Sequence, residues 1–310
     1  MDYVIAVDIG GTQLRAALVT LTGELVVSER TATLVHEGAE AVLGRVLKLI
    51  ELVRAVVLPN DRLLGLGIGA PGPLDPVTGM IYSPPNMPGW DAFPLRDRVA
   101  TATGLPVTLG NDANAAALGE WRFGRGQGLR HLVYLTVSTG IGGGVIVDGQ
   151  LLLGRLGAAG EPGFLIVDHA TGAIWEDLAS GTALGREAAK QMPHYPDSAL
   201  HTLATPTTVT AAEVSLAAQQ GDRLARQLME REARLLGMGF ASMLHLFSPE
   251  ILLVGGSVIL HNPALLEAAR EVAYANVRVP LYREVPILAA SLGDHVGLLG
   301  AAALALQCIE

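Results

Sequence analysis

The chain has 310 residues, of which half are hydrophobic and only 16% are charged. That is the composition of a well-cored globular protein and not of a disordered one, with room for about two domains at roughly 150 residues each. The net charge of −9 argues against duplex nucleic acid or an anionic membrane surface as the main partner, because both need a basic face.

The opening reads as three strands. Residues 3–7 are a short apolar run closing on Asp8, and residues 14–19 and 25–27 are two more. Ile9-Gly10-Gly11-Thr12 and Thr22-Gly23 are the turns between them. Asp2 and Asp8 interrupt the first run, which rules it out as a secretory signal. A glycine-rich turn between two strands is neither a Rossmann fingerprint nor a P-loop, since both of those lead from a strand into a helix. Residues 37–57 form an amphipathic helix, with Val42, Val46, Ile50, Val53 and Val57 on one face. Residues 63–70 read as a buried strand. The proline-rich stretch 71–94 is a long loop, and loops of that length are more often functional than idle. A short helix over 94–103 and a strand over 107–109 follow. Asp112 then stands at the start of an alanine-rich helix over 113–121.

The next segment repeats the opening. A strand over 132–137 leads into the glycine-rich turn 138–144, a strand over 145–147, the hairpin turn Asp148-Gly149 and a strand over 150–153. The offset is ~130 residues and implies two similar domains. Mean hydropathy is +0.40, but the uncharged stretch 132–147 is too short and too rich in glycine for the ~20 apolar residues of a membrane span. The remainder is mostly helical: 174–192, 211–220, 222–247, 263–275 and a final apolar helix over 296–306. Strands at 250–254, running into Gly255-Gly256, and at 287–290 interrupt it. Cys308 is the single cysteine, so neither an intrachain disulfide nor a cysteine metal cluster can form. A soluble cytoplasmic enzyme or sensor is the expectation.

Several constellations carry chemistry. Asp8-Ile9-Gly10-Gly11-Thr12-Gln13 ends a strand with a carboxylate and follows it with two glycines whose N–H groups can cradle an anion. The carboxylate can hold Mg²⁺ or its waters. Ser138-Thr139-Gly140-Ile141-Gly142-Gly143-Gly144 repeats that chemistry, and Gly255-Gly256 is either a flat rest for a purine or an ordinary strand-to-helix turn. In Gly110-Asn111-Asp112-Ala113-Asn114, Asp112 is either a helix N-cap or a proton acceptor for a substrate hydroxyl. Glu161 and Glu176 suit polyol recognition, because carboxylate oxygens accept from neighbouring hydroxyls. Asn86 and Trp90 lie in the proline-rich loop, where Trp90 is either a cleft wall or core.

Read in order, these motifs resemble the ROK family of sugar kinases, repressors and related proteins, and the bacterial glucokinases within it. The resemblance rests on Asp8-Ile9-Gly10-Gly11-Thr12, Gly69-Ala70-Pro71-Gly72-Pro73, Asn86-Met87-Pro88-Gly89-Trp90, Gly110-Asn111-Asp112 with the helix to Glu120, Thr139-Gly140-Ile141-Gly142-Gly143-Gly144, Ala159-Gly160-Glu161, Ala179-Ser180-Gly181 and Leu253-Val254-Gly255-Gly256. It implies an α/β protein with the actin-like ATPase fold: two ribonuclease-H-like domains around a central cleft. The first would comprise residues 1–115 and the C-terminal helix 296–310, and the second residues 116–295. It further implies ATP-dependent phosphorylation of a hexose hydroxyl, glucose to glucose 6-phosphate, with Asp112 as catalytic base. Asn86, Asn111, Asp112, Glu161 and Glu176 would contact the sugar. Asp8, Gly10, Gly11, Thr12, Gln13, Thr139, Gly140, Gly255 and Gly256 would lie at the nucleotide, with Asp8 indirectly at Mg²⁺. The expected partners are a sugar and a nucleotide, with no nucleic acid or membrane, in a homodimer. Fructose, allose or N-acetylmannosamine as acceptor, polyphosphate as donor, and a non-catalytic sugar-responsive regulator are the alternatives. The family's repressors carry a helix-turn-helix ahead of the kinase-like body, and with Asp8 at the eighth position none is expected here.

Three departures stand out. The family's GE-x-GH histidine is Phe164 here, its CxCGxxGCxE loop is replaced by Val167-Asp168-His169-Ala170-Thr171-Gly172 running on to Glu176, and Gln13 stands where many members have lysine. Zinc is therefore not expected. Phe164, Leu165, Ile166 and Val167, with Ile174 and Trp175, are expected to order this segment as a dry core.

Overall fold

The structure, a computed structural model, describes residues 1–84, 87–155, 157–307 and 309. The chain opens with β1 (Asp2–Ile9), β2 (Gln13–Thr20) and β3 (Leu25–Ala32), followed by helix α1 (Ala39–Arg54). Next come β4 (Arg62–Ala70), a small hairpin of β5 (Leu74–Asp75) and β6 (Met80–Ile81), α2 (Leu95–Thr103), β7 (Val107–Asn111) and α3 (Asp112–Phe123). The five long strands form a sheet in the order β3-β2-β1-β4-β7. β1 is antiparallel to β2 and parallel to β4, which is parallel to β7.

The second series begins with β8 (Leu132–Val137), β9 (Ile141–Val147) and β10 (Gln150–Leu151). A short hairpin of β11 (Ile166–Asp168) and β12 (Ala173–Ile174) leads into α4 (Trp175–Ala179), α5 (Gly181–Gln191) and α6 (Leu200–Leu203). Then follow α7 (Ala211–Gln219), the long α8 (Arg223–Phe247), β13 (Ile251–Gly255), α9 (Ser257–Leu260), α10 (Pro263–Asn276), β14 (Ile287–Ala289) and α11 (Val296–Gln307). The sheet order β10-β9-β8-β13-β14 reproduces the first: a three-strand meander whose first strand is followed by two crossover strands. The chain divides into two compact units, Met1–Leu129 with Gly144–Gly160 and Ser291–Glu310, and Arg130–Gly143 with Glu161–Ala290. Helix α3 lies whole within the first.

Period-two alternation of an unbroken apolar run builds the first unit. Tyr3, Ile5, Val7 and Ile9 of β1 enter the core shared with α1, while Val4 and Ala6 enter the core shared with α11. A strand covered on both faces has to be apolar throughout. The expected face of α1 is buried at Val42, Val46, Ile50 and Val53, but the helix ends at Arg54, so Val57 packs from the following turn. Trp90 is fully buried, its ring 5.1 Å from that of Phe93, so of its two readings core packing is the one observed. The single helix expected over 174–192 is two helices. Ser180 adopts an extended backbone and caps α5, accepting from the Ala183 amide, and Gly181 donates to the Ser138 carbonyl at 2.7 Å. Among the described residues no helix is long and apolar enough to cross a membrane.

Close approach of α11 to β4 depends on Gly67. A Cβ there would overlap the Ala301 carbonyl oxygen and lie 2.8 Å from the Ala305 nitrogen. Overpacking of this kind destabilises by about 1–3 kcal/mol or more. Gly44, on the exposed side of α1, has nothing within 4 Å of its would-be Cβ, and Gly to Ala in a helix gains about 0.5–1 kcal/mol. Thermal melts should therefore show opposite shifts: Gly67→Ala lowers Tm and Gly44→Ala raises it.

Candidate functional site

The turn after β1 is held by its own backbone. The Gly10 amide donates to the Gln13 carbonyl at 2.9 Å, and the buried Thr33 donates its hydroxyl to the Gly10 carbonyl and its amide to the Thr12 carbonyl. Gly11, Thr12 and Gln13 are exposed, and a Cβ on Gly11 would meet nothing within 4 Å. Asp8 falls on the α11 face of β1. It sits directly across from Arg15 on β2, whose Nε and Nη2 donate to Asp8 Oδ2 at 3.0 and 2.5 Å. Arg15 also donates to the Asp294 carbonyl at 2.6 Å. Gly297, at the start of α11, leaves room for the carboxylate, since a Cβ there would lie 2.7 Å from Oδ2. Gln13, Arg15, Arg30, Asp294 and His295 line a cavity of about 590 Å³ beside this pair. Arg15 and Thr33 are absent from the sequence reading, and only the cross-strand register of Arg15 with Asp8 could have pointed to the former.

At the start of α3 the two readings of Asp112 separate. The N-cap is Asn111, with an extended backbone (φ −62°, ψ 144°), and its Oδ1 accepts from the amides of Ala113 at 2.9 Å and Asn114 at 3.2 Å. Asp112 is the first helical residue, exposed, with Oδ1 also accepting from the Ala113 amide at 2.8 Å. The helix dipole favours a carboxylate there. Asn111, expected at the sugar, thus has its carbonyl oxygen engaged in capping, while its Nδ2 faces Gly72, whose would-be Cβ lies 3.3 Å away. Asn86 lies outside the described residues.

In the second unit the glycine-rich turn and the carboxylates form one packed object. Glu176, at the start of α4, accepts the Ile141 amide on Oε2 at 2.7 Å. A Cβ on Gly140 would overlap that oxygen, and one on Gly143 would lie 2.9 Å from Pro162 Cγ. These glycines make room for the protein's own groups, so the turn's shape is set by Glu176 and Pro162. The structure thereby joins Gly140, expected at the nucleotide, to Glu176, expected at the sugar. Burial raises the pKa of Glu161 above its ordinary value of 4.5, and the neighbouring Glu176 charge raises it further.

The dry core expected under these carboxylates is not formed. Phe164 is 63% exposed and Ile166 58%, and Val167 is exposed as well. A two-stranded hairpin has no second layer to cover its faces, so its apolar side chains stay in solvent. Hydrogen bonds order the segment instead. Asp168 accepts from the Ala170 amide at 2.9 Å and the Thr171 hydroxyl at 2.6 Å, and Gly172 donates to the Asp168 carbonyl. The Trp175 amide donates to the Leu165 carbonyl. Trp175 alone reaches the core, donating from Nε1 to the Leu235 carbonyl at 3.1 Å and packing on Gly239, which has no room for a Cβ.

Beside the turn lies a cavity of about 340 Å³, lined among others by Ser138, Thr139, Thr182, Gly185, Ala211 and Ser257. Thr139 is the one residue of this set anticipated at the nucleotide. Ser138 is its neighbour in the same turn, and the others come from the starts of α5, α7 and α9. Gly256 has φ +89°, and a Cβ on it would overlap the Val137 carbonyl; one on Gly255 would lie 2.6 Å from the Tyr134 hydroxyl. Both glycines admit the protein's own chain at close approach.

Comparison with known proteins places these features in context. The model of the ROK family matches residues 4–308. The chain is 35% identical over 308 residues to the glucokinase of Thermotoga maritima, covering 97% of this chain and 96% of that one. Among solved structures it is similar to a ROK family glucokinase from Streptomyces griseus in complex with glucose and AMPPNP, with a TM-score of 0.83, 35% identity and coverage of 98% and 99%. It is also similar to the ROK hexokinase of Thermus thermophilus, with a TM-score of 0.82, 36% identity and 99% of each chain. The α/β architecture is that of the actin-like ATPase and sugar kinase fold. From the opening glycine turn to the last helix, the chain belongs to the ROK family.

Proposed function

We propose that the chain transfers the terminal phosphoryl group of ATP to a hydroxyl of a hexose, converting glucose to glucose 6-phosphate, with Asp112 as general base. Its full-length likeness to ATP-using sugar kinases supports the reaction class. The observation that carries the base assignment is the division of labour at α3: Asn111 caps the helix, so Asp112 is not needed as its cap. The hydroxyl proton passes to the Asp112 carboxylate as the hydroxyl oxygen bonds to the γ-phosphorus. The bond from that phosphorus to the β,γ-bridging oxygen breaks, and ADP leaves. Glu161 and Glu176 accept from the other hydroxyls. Thr139 and the cavity beside it suit the nucleoside, and the exposed backbone of Gly11 and Thr12 suits the phosphates.

Mg²⁺, when bound, neutralises charge on the phosphate oxygens. It typically takes one or two carboxylates together with waters and phosphates. The described residues hold no group of three His, Cys, Asp or Glu side chains suited to a metal. Asp8, with one oxygen engaged by Arg15, fits a contact through water.

Three measurements test this reading. Asp112→Asn should keep the wild-type Tm and sugar affinity, because Asn111 still caps α3, while kcat falls by about 10²–10⁴. A kcat near wild type would remove Asp112 as base.

The pH dependence of Glu161 has a definite sign. Its folded pKa lies above the unfolded value of 4.5, so its contribution to stability is fully present below 4.5 and is lost as pH rises through the raised value. Glu161→Gln should therefore raise Tm at pH 7.5 relative to wild type, with the difference closing toward pH 4. The ionised form is the one that accepts two hydroxyls, so sugar binding measured by calorimetry should weaken below neutrality sooner than an ordinary carboxylate would cause. Glu161→Gln should flatten that profile while weakening binding. Identical melting curves for the two proteins at pH 7.5 would refute the assignment.

Metal analysis of the purified protein should find no stoichiometric zinc, since the hairpin is closed by Asp168 and Thr171 where a zinc loop would supply thiolates. One zinc per chain surviving dialysis against chelator would overturn that.

A further inference from the structure

Beyond the groups used above, α3 carries at its far end a second carboxylate, this one buried and with a full set of partners. Glu120 is fully buried. Its Oε1 accepts the amides of Ser291 at 2.6 Å and Leu292 at 2.8 Å. Its Oε2 accepts the Ser291 hydroxyl at 2.8 Å and the Arg125 amide at 3.2 Å. Gly124 is obliged to be glycine, because a Cβ there would overlap Oε2. The next residue, Trp121, donates from Nε1 to the Leu129 carbonyl at 2.7 Å.

The residues held in this way have one thing in common. The chain passes between the two compact units four times, and the outer two passages are Leu129 to Arg130 and Ala290 to Ser291. Trp121 grips the last residue before the first passage. Glu120 grips the first two residues after the last one. A carboxylate taking two backbone amides on one oxygen and a hydroxyl and an amide on the other holds mainly backbone, and hydrogen bonds to a carboxylate are among the stronger ones in proteins.

We propose that Glu120 and Trp121 are positioning residues for phosphoryl transfer: together they pin the two outer connections to the end of α3, fixing the points about which the second unit moves. Asp112 begins the same helix, so the proton acceptor and the anchors of both connections belong to one rigid rod of twelve residues. Neither residue touches substrate in this scheme. They act by limiting how the two units move, and closure that excludes water is what directs the phosphoryl group to a sugar hydroxyl. The inference rests on the proposed phosphotransfer only for its catalytic consequence; the anchoring itself is a mechanical statement.

The test uses the full chain with Cys308→Ser. Spin labels are placed at Leu58→Cys in the first unit and Leu281→Cys in the second, both exposed positions. Glu120→Gln keeps the shape but sets an NH₂ against the donors on one oxygen. Trp121→Phe keeps the ring and loses only the N–H, and it serves if the first variant does not fold. Exchange of the Arg125, Ser291 and Leu292 amides should quicken about tenfold in Glu120→Gln, as expected for losing a hydrogen bond to a charge. The distance distribution between the labels should broaden in both variants. The ratio of ATP hydrolysis to sugar phosphorylation should rise about tenfold, which a mere loss of folded protein would leave unchanged. Unchanged exchange, or faster exchange with a wild-type distance distribution, would overturn the proposal and leave Glu120 a local staple. Should the wild type phosphorylate no hexose, the proposed function fails, and the distance distributions still decide the anchoring.

Discussion

Two hydrogen bonds to one amide oxygen set the terms for the rest of this site. Asn111 Oδ1 takes the Ala113 and Asn114 amides, which ends β7 and starts α3 at a fixed residue. Every later position of α3 follows from that phase. Ala115, Ala116 and Ala117 are buried, and Gly119 meets Gly300 of α11 with no space for a Cβ. A Cβ on Gly300 would in turn overlap the Ala115 carbonyl. Small residues on both helices let them approach closely, and dense packing of this sort resists any rotation of α3 about its axis. The exposed direction of Asp112 is therefore a consequence of the whole interface and not of a local turn.

The sequence showed the scaffold well because the scaffold is built from periodicity. A run covered on both faces, such as β1, is apolar throughout, and α1 repeats its valines at helical spacing. The repeated meander was legible for the same reason, and the two sheet orders match strand for strand. What escaped was decided by contacts far apart in sequence. Phe164, Ile166 and Val167 read as core because they are apolar, yet the two-stranded hairpin leaves Ile166 and Val167 exposed, and Phe164, in the turn before it, is exposed as well. Ser180 breaks a continuous helical pattern because the chain at Ser138 stands where Gly181 must bond.

Clusters of glycine suggest room for a ligand, since an exposed amide can approach a phosphate. Of the glycines expected at the nucleotide, Gly11 has open space before its would-be Cβ. Gly140, Gly255 and Gly256 each face the protein's own atoms. The second glycine-rich turn is thus a mould around Glu176 and Pro162. The groups around the cavity at Thr139 came from helix starts that no glycine count identifies.

Two acidic residues beside these turns, Asp8 and Glu161, sit in opposite electrostatic settings. Asp8 has a guanidinium across the strand pair, with two donors on a single oxygen. Two donors from one side chain on a single oxygen fix the direction of that carboxylate. Glu161 has the opposite setting, with burial and another carboxylate both opposing its charge. Among the described residues no cation is paired with Glu161 as Arg15 is with Asp8. Hydroxyl donors stabilise the ionised form of such a carboxylate, the form that burial disfavours. A neutral donor-rich group would offset that repulsion without adding charge, whereas a phosphate or carboxylate would add to it, and this contrast is the physical reason for proposing the pair as a polyol contact.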